Sequence, residues 1–159
     1  MTAHMHAAVP TLIARACVAS ALTLAVLGAP LVIPGAAPEA EAATPATKAL
    51  QIAASKRGSP YKYGAAGPYR FDCSGLTLYS FKRVGKSLPR SAQSQYNRTR
   101  HISRSQRQRG DLVFFHQGRR VYHVGIYAGG NKIWHSPRRG TVVRLERIWS
   151  KGVWYGRVR

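Results

Sequence analysis

The chain has 159 residues and carries 25 Lys and Arg against only 5 Asp and Glu, a formal net charge of +20. That length excludes a second sizeable domain, and that charge excludes a surface built for cationic partners. A polyanionic setting fits instead: nucleic acid, anionic lipid or an anionic cell wall.

Residues 1–42 read as a signal peptide rather than as fold. Arg15 is followed by the apolar run "ACVASALTLAVLGAPLVI" and then by the small-residue stretch "PGAAPEAEAAT", with Ala40-Glu41-Ala42 as the cleavage site. Gly28, Pro30 and Pro34 crowd the end of the run, which argues against a retained membrane anchor. Cys17 lies at the start of the run and not after it, which argues against a lipoprotein. Cleavage after Ala42 leaves 24 basic and 3 acidic side chains, a net charge of +21, and the surviving acids are Asp72, Asp111 and Glu146. It also leaves Cys73 as the single cysteine. An odd cysteine in a small exported domain suggests intermolecular pairing or a reactive thiol.

Residues 43–47 read as a short linker to a domain spanning 48–159. "TKALQIAASKR" (47–57) places Ala49, Leu50, Ile52 and Ala53 on one helical stripe and stops at Gly58. "GSPYKYGAAGPY" is a Gly- and Pro-rich loop. Asp72 is an N-cap, with apolar residues at helical spacing behind it until Gly85. A further short helix covers "SAQSQYNR" after Pro89, and His101 follows in an Arg-rich loop. From residue 111 the pattern turns to strands: "DLVFFH", "VYHVGIYA", "KIWHSP", "TVVRLER" and "VWYGRVR", joined by turn-like segments. Asp111 reads as a turn residue opening the first of them, and Trp134, Trp149 and Trp154 as core or sheet cover. Helices followed by a strand meander predict an α+β domain, with N-terminal helices packed on one antiparallel sheet.

Cys73 falls at the first helical position after the Asp72 cap, where free N–H groups and the helix dipole favour a thiolate. A thiolate nucleophile needs an imidazole for proton transfer. In "VYHVGIYA", His123 and Gly125 share a face. If "GGN" (129–131) is a three-residue loop, Gly125 pairs with His135, and His135 becomes the same-face diagonal neighbour of His123 at about 7–8 Å. A two-residue loop would instead put the rings on opposite faces. In the favourable register His123 is the base, His135 orients it, and Gly125 leaves room between them. Zinc ligation by the same three side chains lacks a fourth ligand.

"GSPYKYG", "DCSGLTLYSFKRVGKSLPRSAQSQ", "RGDLVFFH" and "YHVGIYAGGNKIWHS" together resemble the NlpC/P60 family of cell-wall cysteine peptidases, in the family's order and over nearly all of residues 48–158. The resemblance implies a papain-like core whose cysteine heads a helix packed on the sheet. It implies Cys73 as nucleophile, His123 as general base and His135 as third member. Tyr61 matches the family tyrosine near the nucleophile, and Asp72 and Ser74 match positions that grip the peptide substrate. "YGAAG" stands where many members have Trp-Gly-Gly. The implied activity is a secreted, wall-associated peptidoglycan endopeptidase cutting stem peptides between D-isoglutamate and the diamino acid. It acts as a monomer, without metal or organic cofactor, among stem peptides and anionic wall polymers. A related amidase or acyltransferase would use the same triad. A basic wall-binding module, or a nucleic-acid or membrane binder, would account for the charge but leave Cys73, His123 and His135 without purpose.

Overall fold

The computed structural model describes residues 43–159, so the expected signal segment and Cys17 lie outside the described residues. Three helices come first: α1 (Pro45–Ser55), α2 (Cys73–Lys82) and α3 (Ala92–Arg98). Each starts on a side-chain cap. Thr44, Asp72 and Ser91 accept from the N–H groups of Thr47, Gly75 and Ser94, and each such cap contributes about 1 kcal/mol. Helix α1 begins ahead of the predicted position because Pro45 occupies the first turn, where its missing N–H has no partner to lose.

Six strands follow: β1 (Arg100–Ile102), β2 (Leu112–Gln117), β3 (Arg120–Gly129), β4 (Lys132–His135), β5 (Arg144–Arg147) and β6 (Val153–Arg157). They form one antiparallel sheet in the order β1-β6-β2-β3-β4-β5. The expected meander therefore ends at β5, and β6 returns to pair with the free edge of β2. Leu112–Phe115 is an unbroken apolar run buried throughout, as a central strand covered on both faces requires. On one face, Leu112, Phe114, Val124 and Ile126 meet the helical residues Ala49, Leu50, Ala53, Leu76 and Phe81. The other face carries Val113, Phe115, Tyr127, Ile133 and Tyr155 under Ile102, Ile148 and Val153.

Two long-range connections depart from the sequence reading. The Arg-rich loop around His101 contains the edge strand β1, which exists only because the chain's C-terminal strand pairs with it. Asp111 is more than a turn residue. It is 1 % exposed and takes Arg157 Nε at 2.7 Å and Nη2 at 2.8 Å, tying the start of β2 to the end of β6.

Strand β5 is shorter than the pattern over 141–147 predicts. Thr141–Val143 pair instead with the loop after α1: Gly58 N–H donates to Val143 O, Val143 N–H to Ser59 O and Tyr61 N–H to Thr141 O, each at 2.9 Å. Tyr61 also bridges to Phe71, just before α2. This pairing fastens the Tyr61 loop beside the head of α2.

Candidate active site

The head of α2 is assembled around one carboxylate. Asp72 Oδ1 accepts from Gly75 N–H at 2.7 Å and from Arg90 Nη1 at 3.0 Å; Oδ2 accepts from Gly64 N–H at 2.8 Å and pairs with Arg90 Nη2. Ser74 Oγ accepts from Arg90 Nη1 at 3.0 Å. Asp72 and Ser74 are both buried and engaged within the protein, and Arg90 is the partly exposed member of the cluster. Sequence reasoning missed Arg90. With three acids for 24 bases, each carboxylate was bound to find a cation, but which one is not written locally. Gly75 matters for a steric reason: a Cβ there would stand 2.0 Å from Ala65 O, so only glycine lets residues 65–66 fold against the helix start.

Cys73 is the first residue of α2, and its sulfur faces the main-chain N–H of Val124 on β3, the neighbour of His123. Burial pushes the thiol pKa up and the Asp72 charge pushes it the same way, while the Val124 and Ser74 amides and the Ser74 hydroxyl pull it down. The balance is upward, against the expected poised thiolate: the helix start cannot offset a desolvated sulfur beside a carboxylate. The Tyr61 phenol shares this environment. Its pKa is raised by burial first, then by the charges of Cys73 and Asp72, with Arg139 opposing.

The histidines come from the β3–β4 hairpin. The turn is the two residues Gly130-Asn131, both at positive φ, +54° and +58°, closed by the Gly129–Lys132 pair. That is not the predicted three-residue loop. A register shift between Tyr127 and Gly129 inserts Ala128 as an extra residue, and it restores the Ile126–Trp134 and Tyr127–Ile133 pairs of the longer-loop register. The bulge thus returns His135 to the face of His123. The room expected at Gly125 is taken by β4 and not by the rings: a Cβ there would stand 2.8 Å from Ile133 Cδ1 and 3.1 Å from Trp134 O.

His123 Nε2 and His135 Nδ1 lie 2.9 Å apart, with the rings at 80°. His135 Nε2 reaches Glu146 Oε2 at 3.0 Å, and Arg144 Nε donates to the same oxygen at 2.8 Å. Phe115 and Trp149 wall the His123 ring at 5.5 and 5.6 Å between centroids. Burial, then the neighbouring His135, lowers the His123 pKa to about 3. Burial lowers that of His135 to about 4, with the hydrogen bond to Glu146 opposing. Both rings are therefore neutral at pH 7. They open into a cleft of about 390 Å³ bounded by Tyr122, Arg138 and Trp149. A neutral imidazole has one bare nitrogen, which can take up a proton.

A sequence model of the NlpC/P60 family matches residues 58–158. The chain is 45% identical over 116 residues to "Probable endopeptidase p60" of Listeria grayi, an alignment covering 69% of this chain and 22% of that protein. It is 42% identical over 95 residues to "Bifunctional muramidase/DL-endopeptidase CwlT" of Bacillus subtilis strain 168, covering 57% of this chain and 29% of that protein. The solved structure of the peptidoglycan hydrolase RipB of Mycobacterium tuberculosis superposes with a TM-score of 0.66 at 29% identity, covering 77% of this chain and 69% of that one. The chain spans from about a fifth to about half the length of the curated relatives it matches.

Proposed function

Because this chain belongs to the NlpC/P60 family, we propose that it is an exported, wall-associated cysteine endopeptidase of peptidoglycan, cutting stem peptides between D-isoglutamate and the diamino acid. One observation carries the reading. The only thiol among the described residues faces the strand residue next to His123, whose ring is joined to His135 at 2.9 Å. The DL-endopeptidase named among the relatives supports the choice of bond.

His123 spends Nε2 on His135, so Nδ1 is the nitrogen left to take the Cys73 proton. The sulfur attacks the scissile carbonyl, and main-chain N–H groups at the start of α2 stabilise the oxyanion. Collapse breaks the C–N bond as His123 returns its proton to the leaving amine. Water, deprotonated by His123, then hydrolyses the thioester, releasing the new carboxylate and the thiol.

Tyr61 and Arg90 contact the stem peptide at the lip of the site. Asp72 and Ser74 act through Arg90, whose guanidinium they hold against the peptide's carboxylates. All three acids among the described residues are paired with arginines, so the outer surface is nearly all cation and suits anionic wall polymers. Digestion of purified wall followed by mass analysis tests the proposal. Fragments ending in D-isoglutamate are expected; cuts elsewhere would reject the bond, and no cleavage would reject the activity.

A further inference from the structure

Glu146 had no role in the sequence reading, yet it ends the hydrogen-bonded line that begins at His123. A neutral imidazole carries one N–H and one bare nitrogen, and an ionised carboxylate only accepts. Facing Glu146 Oε2 at 3.0 Å, His135 Nε2 must carry the hydrogen, which leaves His135 Nδ1 bare. His123 Nε2, 2.9 Å from that bare nitrogen, must then be the donor, which leaves His123 Nδ1 bare. Without the carboxylate the line can run the other way. His135 would donate from Nδ1, His123 would accept at Nε2, and its own hydrogen would sit on Nδ1, the position that has to take the thiol proton.

We propose that Glu146 is a positioning residue that selects the ring tautomers of both histidines and so keeps His123 Nδ1 free to accept a proton. The proposal rests on reading His123 as the base toward Cys73. The fold is arranged for it. In the β4–β5 register Glu146 stands opposite Ile133 and Arg144 opposite His135, so Glu146 reaches His135 along the diagonal. Arg144, a donor only, would fix the opposite tautomer if it met His135 Nε2 itself, but instead it clamps Glu146 Oε2 through Nε and Nη2, both at 2.8 Å. That clamp holds the Glu146 carboxyl below its ordinary pKa, which keeps it an acceptor. Glu146 and Arg144 are each more than a third exposed, and such a pair adds little stability by itself. The contact to a histidine that is 1 % exposed is what gives the carboxylate its consequence. The other two acids among the described residues are taken by Arg90 and Arg157, so none is free to replace it.

Two-bond ¹⁵N–¹H correlations of the labelled protein read each ring's tautomer without any substrate. The wild type is expected to show both histidines with the hydrogen on Nε2; His123 with its hydrogen on Nδ1 would overturn the proposal outright. Glu146→Leu, checked for folding by its amide spectrum, should mix the tautomers. It should also lower kcat on stem peptides by about 10- to 100-fold with KM little changed, the size of effect seen for the partners that orient metal-bound histidines. Glu146→Gln keeps an acceptor oxygen and should recover most of that loss. Unchanged tautomers in a folded Glu146→Leu protein would overturn the proposal. Should that variant not fold, the wild-type His123 assignment decides alone. Correct tautomers in a protein that cuts no wall would sink the peptidase reading and leave this one standing; wall cleavage with His123 protonated on Nδ1 would do the reverse.

Discussion

The four histidines of the described residues form two sets that use the imidazole in opposite ways. His123 and His135 are buried and meet nitrogen to nitrogen, with their rings at 80°. His101 and His116 lie flat on aromatic neighbours: His101 on Tyr96 at 4.0 Å and 7°, His116 on Trp154 at 3.6 Å and 11°. Tyr96 and Trp154 stack on each other between them. The nitrogens of this outer pair face main-chain carbonyls, Tyr96 O and Gly118 O. One pair meets through its nitrogens, and the other offers ring faces to an aromatic stack. All four sit on strands, so neither residue type nor element separates the sets. Burial and ring angle do.

The largest expected effect removes the chemistry from the inner set. Cys73→Ala and His123→Ala should each lower muropeptide cleavage by at least about a thousandfold with unchanged circular dichroism, and the double variant should be scarcely worse, because nucleophile and base act as one unit. Full cleavage by Cys73→Ala would end the enzyme reading. His135→Ala should fall between, losing about 10- to 100-fold in kcat, since water can partly replace an orienting group.

Acid should expose the inner set as a cost to folding. The unfolded chain takes up protons on these histidines near pH 6.5, whereas folded His135 and His123 resist down to about 4 and 3. Their folded pKa values lie below the unfolded ones, so stability falls as pH drops from about 6.5 toward 4, by up to about 1.4 kcal/mol per pH unit for each ring. Urea unfolding between pH 7 and pH 4.5 measures this, and replacing both rings with Phe should flatten the slope. The thiol gives a smaller signal. Iodoacetamide should modify Cys73 more slowly at neutral pH than it modifies free cysteine, with an inflection above the ordinary thiol value; an inflection below it would restore the poised thiolate.

The smallest effect belongs to the outer set. His101→Ala or His116→Ala should leave cleavage within about twofold and lower stability by about 0.5–1.5 kcal/mol, the usual worth of an aromatic contact. A large loss of cleavage from either would break the division between the two sets.

What the sequence determined by itself is what short-range chemistry can write. Asp72 starts its helix because a side-chain oxygen reaches an N–H three residues on, a contact within one turn; Thr44 and Ser91 act by the same local chemistry, although the apolar pattern placed Thr44 in a linker. The strands of the second half follow from runs of β-branched and aromatic residues, and the place of Cys73 at a helix start follows from its neighbour. What tertiary structure decided is every relation that spans the chain. The return of β6 to β2 and the existence of β1 depend on partners about forty residues apart in one case and more than fifty in the other. Arg90 for Asp72 and Glu146 for His135 are choices among many equivalent cations and few acids, made only when strands and helices dock. The alignment of the two buried histidine rings is the clearest case. Side chains alternate with a period of two residues, so one extra residue at Ala128 decides whether His123 and His135 face each other or opposite sides of the sheet. Nothing in "YAGGNK" announces that bulge; it forms where a tight positive-φ turn and the buried register of Ile126 and Ile133 have to be satisfied together.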